Sequence, residues 1–270
     1  MSHASPLIRR LQRFCPLPEA DKAELQQLAF NARRIRGRCE IGFSRGGAAA
    51  LGVVLEGLAY RREVLSDGRR QITSYYVPGD IYEARFSTAE PDNSVTTVEA
   101  AKLLILNRDK VFGFFDTHPA IARALWYSAS VDQAIAREQM VCVGRRSSLE
   151  RVAHFLSEFF ARLQSVGLTS ATSCKFPLTQ TELGDFLGLS TVHVNRMLQK
   201  LRRENLLSLK NRKLTVFDMQ GLHAVAMFDP GYLRLHGESS SRSRPSAVPA
   251  VDRMSVPTLA SGWRSALHSG

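Results

Sequence analysis

Residues 178 to 201 read LTQTELGDFLGLSTVHVNRMLQKL, and this stretch limits the fold more tightly than any other. Two short helices that cross at a sharp bend need apolar anchors at fixed offsets, a small residue where the backbones approach and a residue tolerant of positive φ in the turn. Leu183 and Leu187 supply the inner face of a first helix, Gly184 leaves room at the crossing and Gly188 permits the turn. Leu189, Val194 and Met197 point back inward. Thr179 and Glu182 have capping-box spacing, which marks the start of the first helix. The pattern is that of a helix-turn-helix, an element whose second helix enters the major groove of DNA.

The outward face of that second helix then carries Thr191, Val192, His193, Asn195 and Arg196 near its start, where base edges are met, followed by Gln199 and Lys200. Arg196 has the fork that bonds guanine O6 and N7. Asn195 can read adenine or hold a phosphate, and Val192 offers only apolar contact of the kind a thymine methyl takes. His193 fits a phosphate contact or plain exposure better than base reading. The following SLKNRKLTVF has the form of two short strands around a basic tip, a wing placed to touch the backbone. Thr179, Gln180, Gln199, Lys200, Lys210, Arg212 and Lys213 are the expected phosphate contacts. Residues 175 to 213 hold eight basic side chains against three acidic ones, nearly half of the net +11 carried by the whole 270-residue chain. A polyanionic partner, double-stranded DNA, follows from charge and spacing together.

Upstream the pattern differs. Residues 6 to 30 hold two helical pieces parted by CPLPEA, and about 33 to 106 hold short strands with tight turns at SDG and VPGD. An antiparallel roll or barrel is expected. The stretch HPAIARALWYSASVDQAIAREQMVCV, residues 118 to 143, is one long helix. Its best heptad track runs through Ile121, Leu125, Ser128, Asp132, Ile135, Gln139 and Cys142, a mixed seam that suits pairing with a second copy or packing against the roll. Ser147 and Glu150 cap the next helix, whose Leu149, Val152, Ala153, Leu156, Phe160 and Leu163 form one apolar face. QSVGLTSATSCKFP reads as loop. The final stretch, rich in Ser and Pro, lacks the apolar groups to offset chain entropy and is expected to be disordered.

The first thirty residues hold no continuous apolar run, so neither a signal peptide nor a membrane span is expected, and the reading is cytoplasmic. Cys15, Cys39, Cys142 and Cys174 include no CxxC pair, which fits free thiols and leaves no metal or cluster site. No nucleophile elbow, HExxH, P-loop or dinucleotide fingerprint is present, so an enzyme is not expected.

A punctuated roll, a long connecting helix, a capped helix and a winged helix-turn-helix, in that order, resemble the Crp/Fnr family of bacterial transcription regulators. The stretches that carry the likeness are DGRRQITSYYVPGD, ERVAHFL and LTQTELGDFLGLSTVHVNRMLQKLRRENLL. The resemblance implies an α+β fold: helices and an antiparallel β-roll like a cyclic-nucleotide-binding jelly roll over 1–116, a dimerisation helix over 117–144 and a winged helix-turn-helix over 145–220. A disordered tail over 237–270 completes the division. It also implies a homodimer paired through Ile121, Leu125, Ser128, Ile135 and Cys142, a roughly palindromic site, and contact with RNA polymerase.

The departures from the family pattern are equally specific. Nucleotide-binding relatives have a Gly-Glu pair after the PGD turn and then an Arg with a hydroxyl neighbour. Here PGDIYEARF lacks the pair and DNSVTTVEA puts Ser94 and Val95 where those two belong, with Glu83 and Arg85 left as a shifted substitute. Cys15 and Cys39 are too few and too far apart for the clustered cysteines of oxygen-sensing relatives. No cofactor is expected, which resembles the FixK-like branch. Relatives place a Glu where Val192 stands, so base preference there should differ. Two alternatives remain: a regulator whose roll binds a small effector, or one controlled by oxidation of an exposed, basic-flanked Cys174 thiol.

Overall fold

The computed structural model describes residues 4–41, 49–83 and 95–235. Two helices open the chain, α1 (Pro6–Gln12) and α2 (Glu19–Phe30), the first capped by Ser5 and the second preceded by Pro18. Among the described residues eight strands follow: β1 (Arg33–Ile35), β2 (Glu40–Ile41), β3 (Ala49–Glu56), β4 (Ala59–Val64), β5 (Arg70–Tyr76), β6 (Ile81–Glu83), β7 (Val95–Thr97) and β8 (Ala101–Asn107). They pair antiparallel in two four-stranded sheets, ordered β1-β8-β3-β6 and β2-β7-β4-β5. Val54, Tyr82 and Leu103 of one sheet meet Ala59 and Val95 of the other in the interior. This is the expected roll: side chains turn inward between two antiparallel sheets packed face to face.

Among the described residues, five helices and a three-stranded sheet make up the larger part of the remaining chain. They are α3 (Arg108–Thr117), α4 (Pro119–Arg145), α5 (Ser148–Ser165), the strand β9 (Ser173–Lys175), then α6 (Gln180–Leu187), α7 (Thr191–Arg203), β10 (Leu207–Lys210) and β11 (Lys213–Val216). A further helix α8 (Met219–Ala226) and a 3-10 turn over Pro230–Leu233 extend past residue 220, with Leu222, Ala226 and Leu233 buried. The expected limit at 220 is therefore too short for the fold, because these apolar groups are part of the core. The 237–270 tail expectation, together with Ser94 and Arg85, lies outside the described residues.

The capped helix α5 is the spine. Its capping box is closed, Ser147 accepting from the Glu150 amide and the Glu150 carboxylate accepting from the Ser147 amide. Val152, Ala153, Leu156, Phe159 and Phe160 are buried along it, in one cluster with Tyr60, Ile72 and Tyr75 of the roll and with Leu183, Val194 and Leu214 of the C-terminal part. Each large side chain so buried contributes about 1.5–3 kcal/mol relative to exposure. Roll and helix-turn-helix thus share one core.

Two expectations fail here. The stretch read as loop contains β9, whose Cys174 pairs with Leu214 in the register of β11. The heptad track on α4 is also spent inside the chain: Ile121, Ser128 and Cys142 are buried, and Leu125 and Ile135 pack partly buried on core clusters. A seam turned into its own fold is not free to meet a second copy. The side of α4 that reaches solvent instead presents Trp126 at 73% and Met140 at 74% exposure, with Tyr127 and Val141 beside them. Trp126, Gln133 and Met140 repeat every seven residues on that side.

Candidate nucleic-acid interface

The first helix of the motif starts at a closed capping box. Glu182 N–H donates to Thr179 Oγ1 at 3.1 Å and Thr179 N–H to Glu182 Oε2 at 2.7 Å. It ends at Gly188, whose φ of 64° and ψ of 39° lie in the left-handed region where a Cβ is penalised. A Cβ at Gly184 would stand 2.4 Å from the Leu189 carbonyl oxygen, so the crossing requires glycine. Ser190 caps α7, accepting from the His193 amide, and its hydroxyl lies 2.8 Å from His193 Nδ1. Leu183, Leu187, Val194, Leu198 and Leu201 are fully buried, which fixes the rotation of α7 about its axis.

That rotation exposes Thr191, Val192, His193, Arg196, Gln199 and Lys200. Val192 is 67% exposed, an apolar group held in water by the packing of its neighbours. Arg196 and Lys200 have no hydrogen-bond or ion-pair partner among the described residues, so the whole donor fork of Arg196 is available. Asn195 differs: it is half-buried, its Nδ2 donates to Gln180 Oε1 at 3.1 Å, and its Oδ1 accepts from Gln199 Nε2 at 2.9 Å. Gln180 and Gln199, assigned to phosphate from sequence, are thus both engaged with Asn195. The Thr179 hydroxyl is occupied by the cap.

The wing is a three-stranded antiparallel sheet in the order β10-β11-β9. Its tip is a two-residue turn in which Asn211 and Arg212 both have positive φ, 50° and 58°, the turn whose twist suits a hairpin. Arg212 donates to the Pro177 carbonyl and accepts at its own carbonyl from the Phe176 amide, which holds this side chain back from the tip. The register places Lys210 opposite Lys213, and Lys213 opposite Lys175. Three ammonium groups therefore lie in one row across the sheet, a destabilising arrangement unless an anion faces it. Lys175 is paired with Glu99 at 2.6 Å, whereas Lys210 and Lys213 have no partner among the described residues.

Cys174, at the centre of the edge strand β9, is only 4% exposed because its side chain faces the core, and burial pushes its thiol up to about 12. The expectation of an exposed, acidified thiol is corrected: the basic neighbours flank it in sequence, but the strand turns Cys174 to the core side and Lys175 to water. A neutral buried thiol is a poor nucleophile and slow to oxidise.

Sequence reasoning missed how the motif is tied to the rest. Tyr75 O–H donates to the Glu182 carbonyl, Arg70 pairs with Asp185 at 2.8 Å, and the Phe186 carbonyl accepts from Gln71 of β5 at 3.0 Å and from Gln139 of α4 at 2.9 Å. A buried charge cluster lies behind this contact. Asp80 accepts from Arg10, from Arg162 and from the Val77 amide, while Arg10 also reaches Asp132 at 2.6 Å and Ser128 at 3.0 Å. Burial works against the charge on Arg162, but the Asp80, Glu158 and Asp132 carboxylates outweigh it and its pKa is raised. The signal was present as a lone Arg10 between Leu7 and Leu11 on an apolar helix face. Beside the cluster a cavity of about 450 Å³ opens between the tyrosines of β5 and β6, α4 and Phe186. Among its lining residues the one cation, Arg162, is bonded to Asp80 and Glu158, while Glu83 and Asp132 are acidic.

Comparison with known proteins places these features in context. Residues 150–225 match the Crp-like helix-turn-helix domain. The transcriptional activatory protein AadR of Rhodopseudomonas palustris is 31% identical over 216 residues, 78% of this chain and 87% of the relative. The nitrogen fixation regulation protein FixK of Bradyrhizobium diazoefficiens is 30% identical over 214 residues, 76% of this chain and 87% of the relative. Among solved structures, FixK2 from Bradyrhizobium japonicum matches with a TM-score of 0.63 and 26% identity, covering 72% of this chain and 96% of that one. Among the described residues no helix is long and apolar enough to cross a membrane.

Proposed function

The chain belongs to the Crp/Fnr family, in its FixK-like branch, and is a DNA-binding transcription regulator; on that premise we propose that it acts as a homodimer on a roughly palindromic site. The exposed side of α4, centred on Trp126 and Met140, pairs two copies and sets the two α7 helices about one duplex turn, roughly 34 Å, apart. Each α7 enters the major groove. Arg196 bonds guanine, Asn195 reads adenine, and Val192 takes up a thymine methyl. Thr191 and His193 flank these contacts. Lys200, Lys210 and Lys213 neutralise phosphates and supply the part of the affinity that salt weakens. RNA polymerase is the proposed further partner, and the cytoplasm the proposed place of action. No catalytic step and no cofactor enter this reading.

One observation carries it: the Arg196 fork stands in water, without a partner among the described residues, on the face that the buried Val194, Leu198 and Leu201 turn outward. Selection from random duplexes with the purified, reduced protein and no added ligand tests it. Recovery of a two-fold symmetric sequence supports the reading, and recovery of no preferred sequence refutes it.

A second reading is favoured by the cavity between roll and α4, which has the volume of a small-molecule site. Its tyrosines and carboxylates suit a neutral or cationic effector and leave an anionic phosphate without a free counter-charge. A thermal-shift screen separates the two readings, since a ligand at 100 times its Kd stabilises by about 2.7 kcal/mol.

A further inference from the structure

Gln180, Asn195 and Gln199 come from two helices and form one chain of side-chain amides, with Gln199 Nε2 to Asn195 Oδ1 at 2.9 Å and Asn195 Nδ2 to Gln180 Oε1 at 3.1 Å. Gln180 is the first residue of α6, and Gln199 lies one turn beyond Asn195 on α7. A carboxamide has two N–H donors and two lone pairs on its oxygen. With Gln199 donating to it and Gln180 accepting from it, the central amide spends one of each. Asn195 therefore retains one N–H and one lone pair, the pair of functions that adenine demands at N7 and at its 6-amino group.

We infer that Gln180 and Gln199 are positioning residues that hold the Asn195 carboxamide so that it reads adenine, and that this protein's site contains an adenine fixed by the amide chain. The inference rests on the proposed base-reading role of Asn195 and goes beyond it by assigning which base and what selects it. An unsupported Asn turns about its terminal torsion and presents donor or acceptor alike, reading a phosphate or several bases. Held at both ends by its neighbours, it loses that freedom before the duplex arrives, so less ordering is left for binding. The half-buried place of Asn195 against the N-terminus of α6 supplies the rigid frame, and the capping box at Thr179 and Glu182 fixes that N-terminus. A phosphate contact would need Gln180 and Gln199 turned outward, whereas both point along the chain toward Asn195.

The test uses the full-length protein and its selected duplex, with 7-deazaadenine placed in turn at each adenine. This analogue replaces N7 by C–H and removes the acceptor that Asn195 would meet. The wild type should lose about tenfold in affinity at one adenine per half-site, roughly 1.4 kcal/mol. Asn195→Ala should show no such loss. Gln180→Leu and Gln199→Leu should each bring the ratio at that adenine down toward one, and Gln180→Glu, which keeps an acceptor for the Asn195 N–H, should restore it. If both Leu variants keep the wild-type ratio, the positioning role is overturned while the reading by Asn195 stands. If Gln180→Leu abolishes the ratio and Gln180→Glu does not recover it, the hydrogen bond to Asn195 is not the cause and the role is likewise overturned. A wild type indifferent to the analogue at every adenine, with Asn195→Ala selecting the same sequence, removes the base-reading assignment itself.

Discussion

The Arg10 guanidinium donates to the Asp80 carboxylate although the two are 70 residues apart, and their side chains are 5% and 2% exposed. Through this pair the N-terminal helix is joined to the turn that closes β5, and Arg162 ties the same carboxylate to α5. Replacing Asp80 by Ala leaves two guanidinium groups buried without their shared counter-charge. The expected cost is about 3–5 kcal/mol, read as a lowered urea midpoint at unchanged slope. A variant as stable as the wild type would show that the cluster is not part of what holds these elements together.

Arg196 and Lys210 should separate sequence choice from general attraction. Arg196→Ala is expected to cost about 1–3 kcal/mol on the selected site and to relax preference at one position, with little effect on random duplex. Lys210→Ala should weaken all duplexes alike and reduce the slope of log affinity against log salt by about one. Titrations at several salt concentrations distinguish the two outcomes, and equal behaviour of both variants would undo the division of roles.

For assembly, the side of α4 that carries Trp126 and Met140 is the decisive surface. Sedimentation of the wild type should report a dimer. Trp126→Glu with Met140→Glu should yield a folded monomer with reduced operator affinity, because each charge would be buried without a partner in the pair. Substitution at Ser128 or Cys142, both packed inside the chain, should instead lower stability without a specific effect on association. A double variant that remains dimeric assigns the interface elsewhere.

Cys174 should resist modification. With its thiol pushed up to about 12 by burial, alkylation at neutral pH is expected to require unfolding, and brief mild peroxide treatment should leave operator affinity unchanged in a Cys15→Ser, Cys39→Ser background. Peptide mapping after a timed pulse of alkylating reagent checks this. Rapid labelling of Cys174 in the folded protein would revive control by oxidation.

His154 gives a pH dependence of definite sign. It is 3% exposed on α5 between the rings of Phe228 and Tyr232, with Glu138 at 3.3 Å from Nε2. Burial holds its pKa below the usual 6.5, against the pull of Glu158 and Glu138 and with the help of Arg146. The folded state keeps the imidazole neutral while the unfolded chain takes up a proton, so stability should fall as pH drops from about 6.5 until the folded imidazole is itself protonated. Denaturation of the wild type and His154→Gln across that range should show a shallower decline in the variant. Parallel declines would mean that other groups account for the acid limb.

The legible part of the molecule was local. Gly184, Gly188, both capping boxes and the wing are specified within a few residues, and each stands where the spacing put it. The heptad on α4 was misassigned because a periodic apolar stripe says that one side is buried, not by what: Ile121 and Cys142 are covered by the chain itself. Cys174 was misplaced because a three-residue strand has no period to read and owes its existence to a partner forty residues on, Leu214. Arg10 and Asp80, and likewise Gln180 and Asn195, meet only through the tertiary fold. The charge on an apolar helix face was the one hint of the first pair, and nothing local announced the second.

The Phe186 carbonyl is where three bodies are pinned to a single atom, Gln71 reaching it from the roll and Gln139 from the long helix. A carbonyl oxygen has two lone pairs, so both bonds can be made at once, and neither donor can shift far alone. Sliding the long helix by two residues, about 3 Å along its axis, would pull its bond out of range unless the reading head travelled with it. The joint thus behaves as a tripod: a push on one leg is felt at the apex. Displacement of the long helix is converted into displacement of the DNA-facing surface by geometry alone.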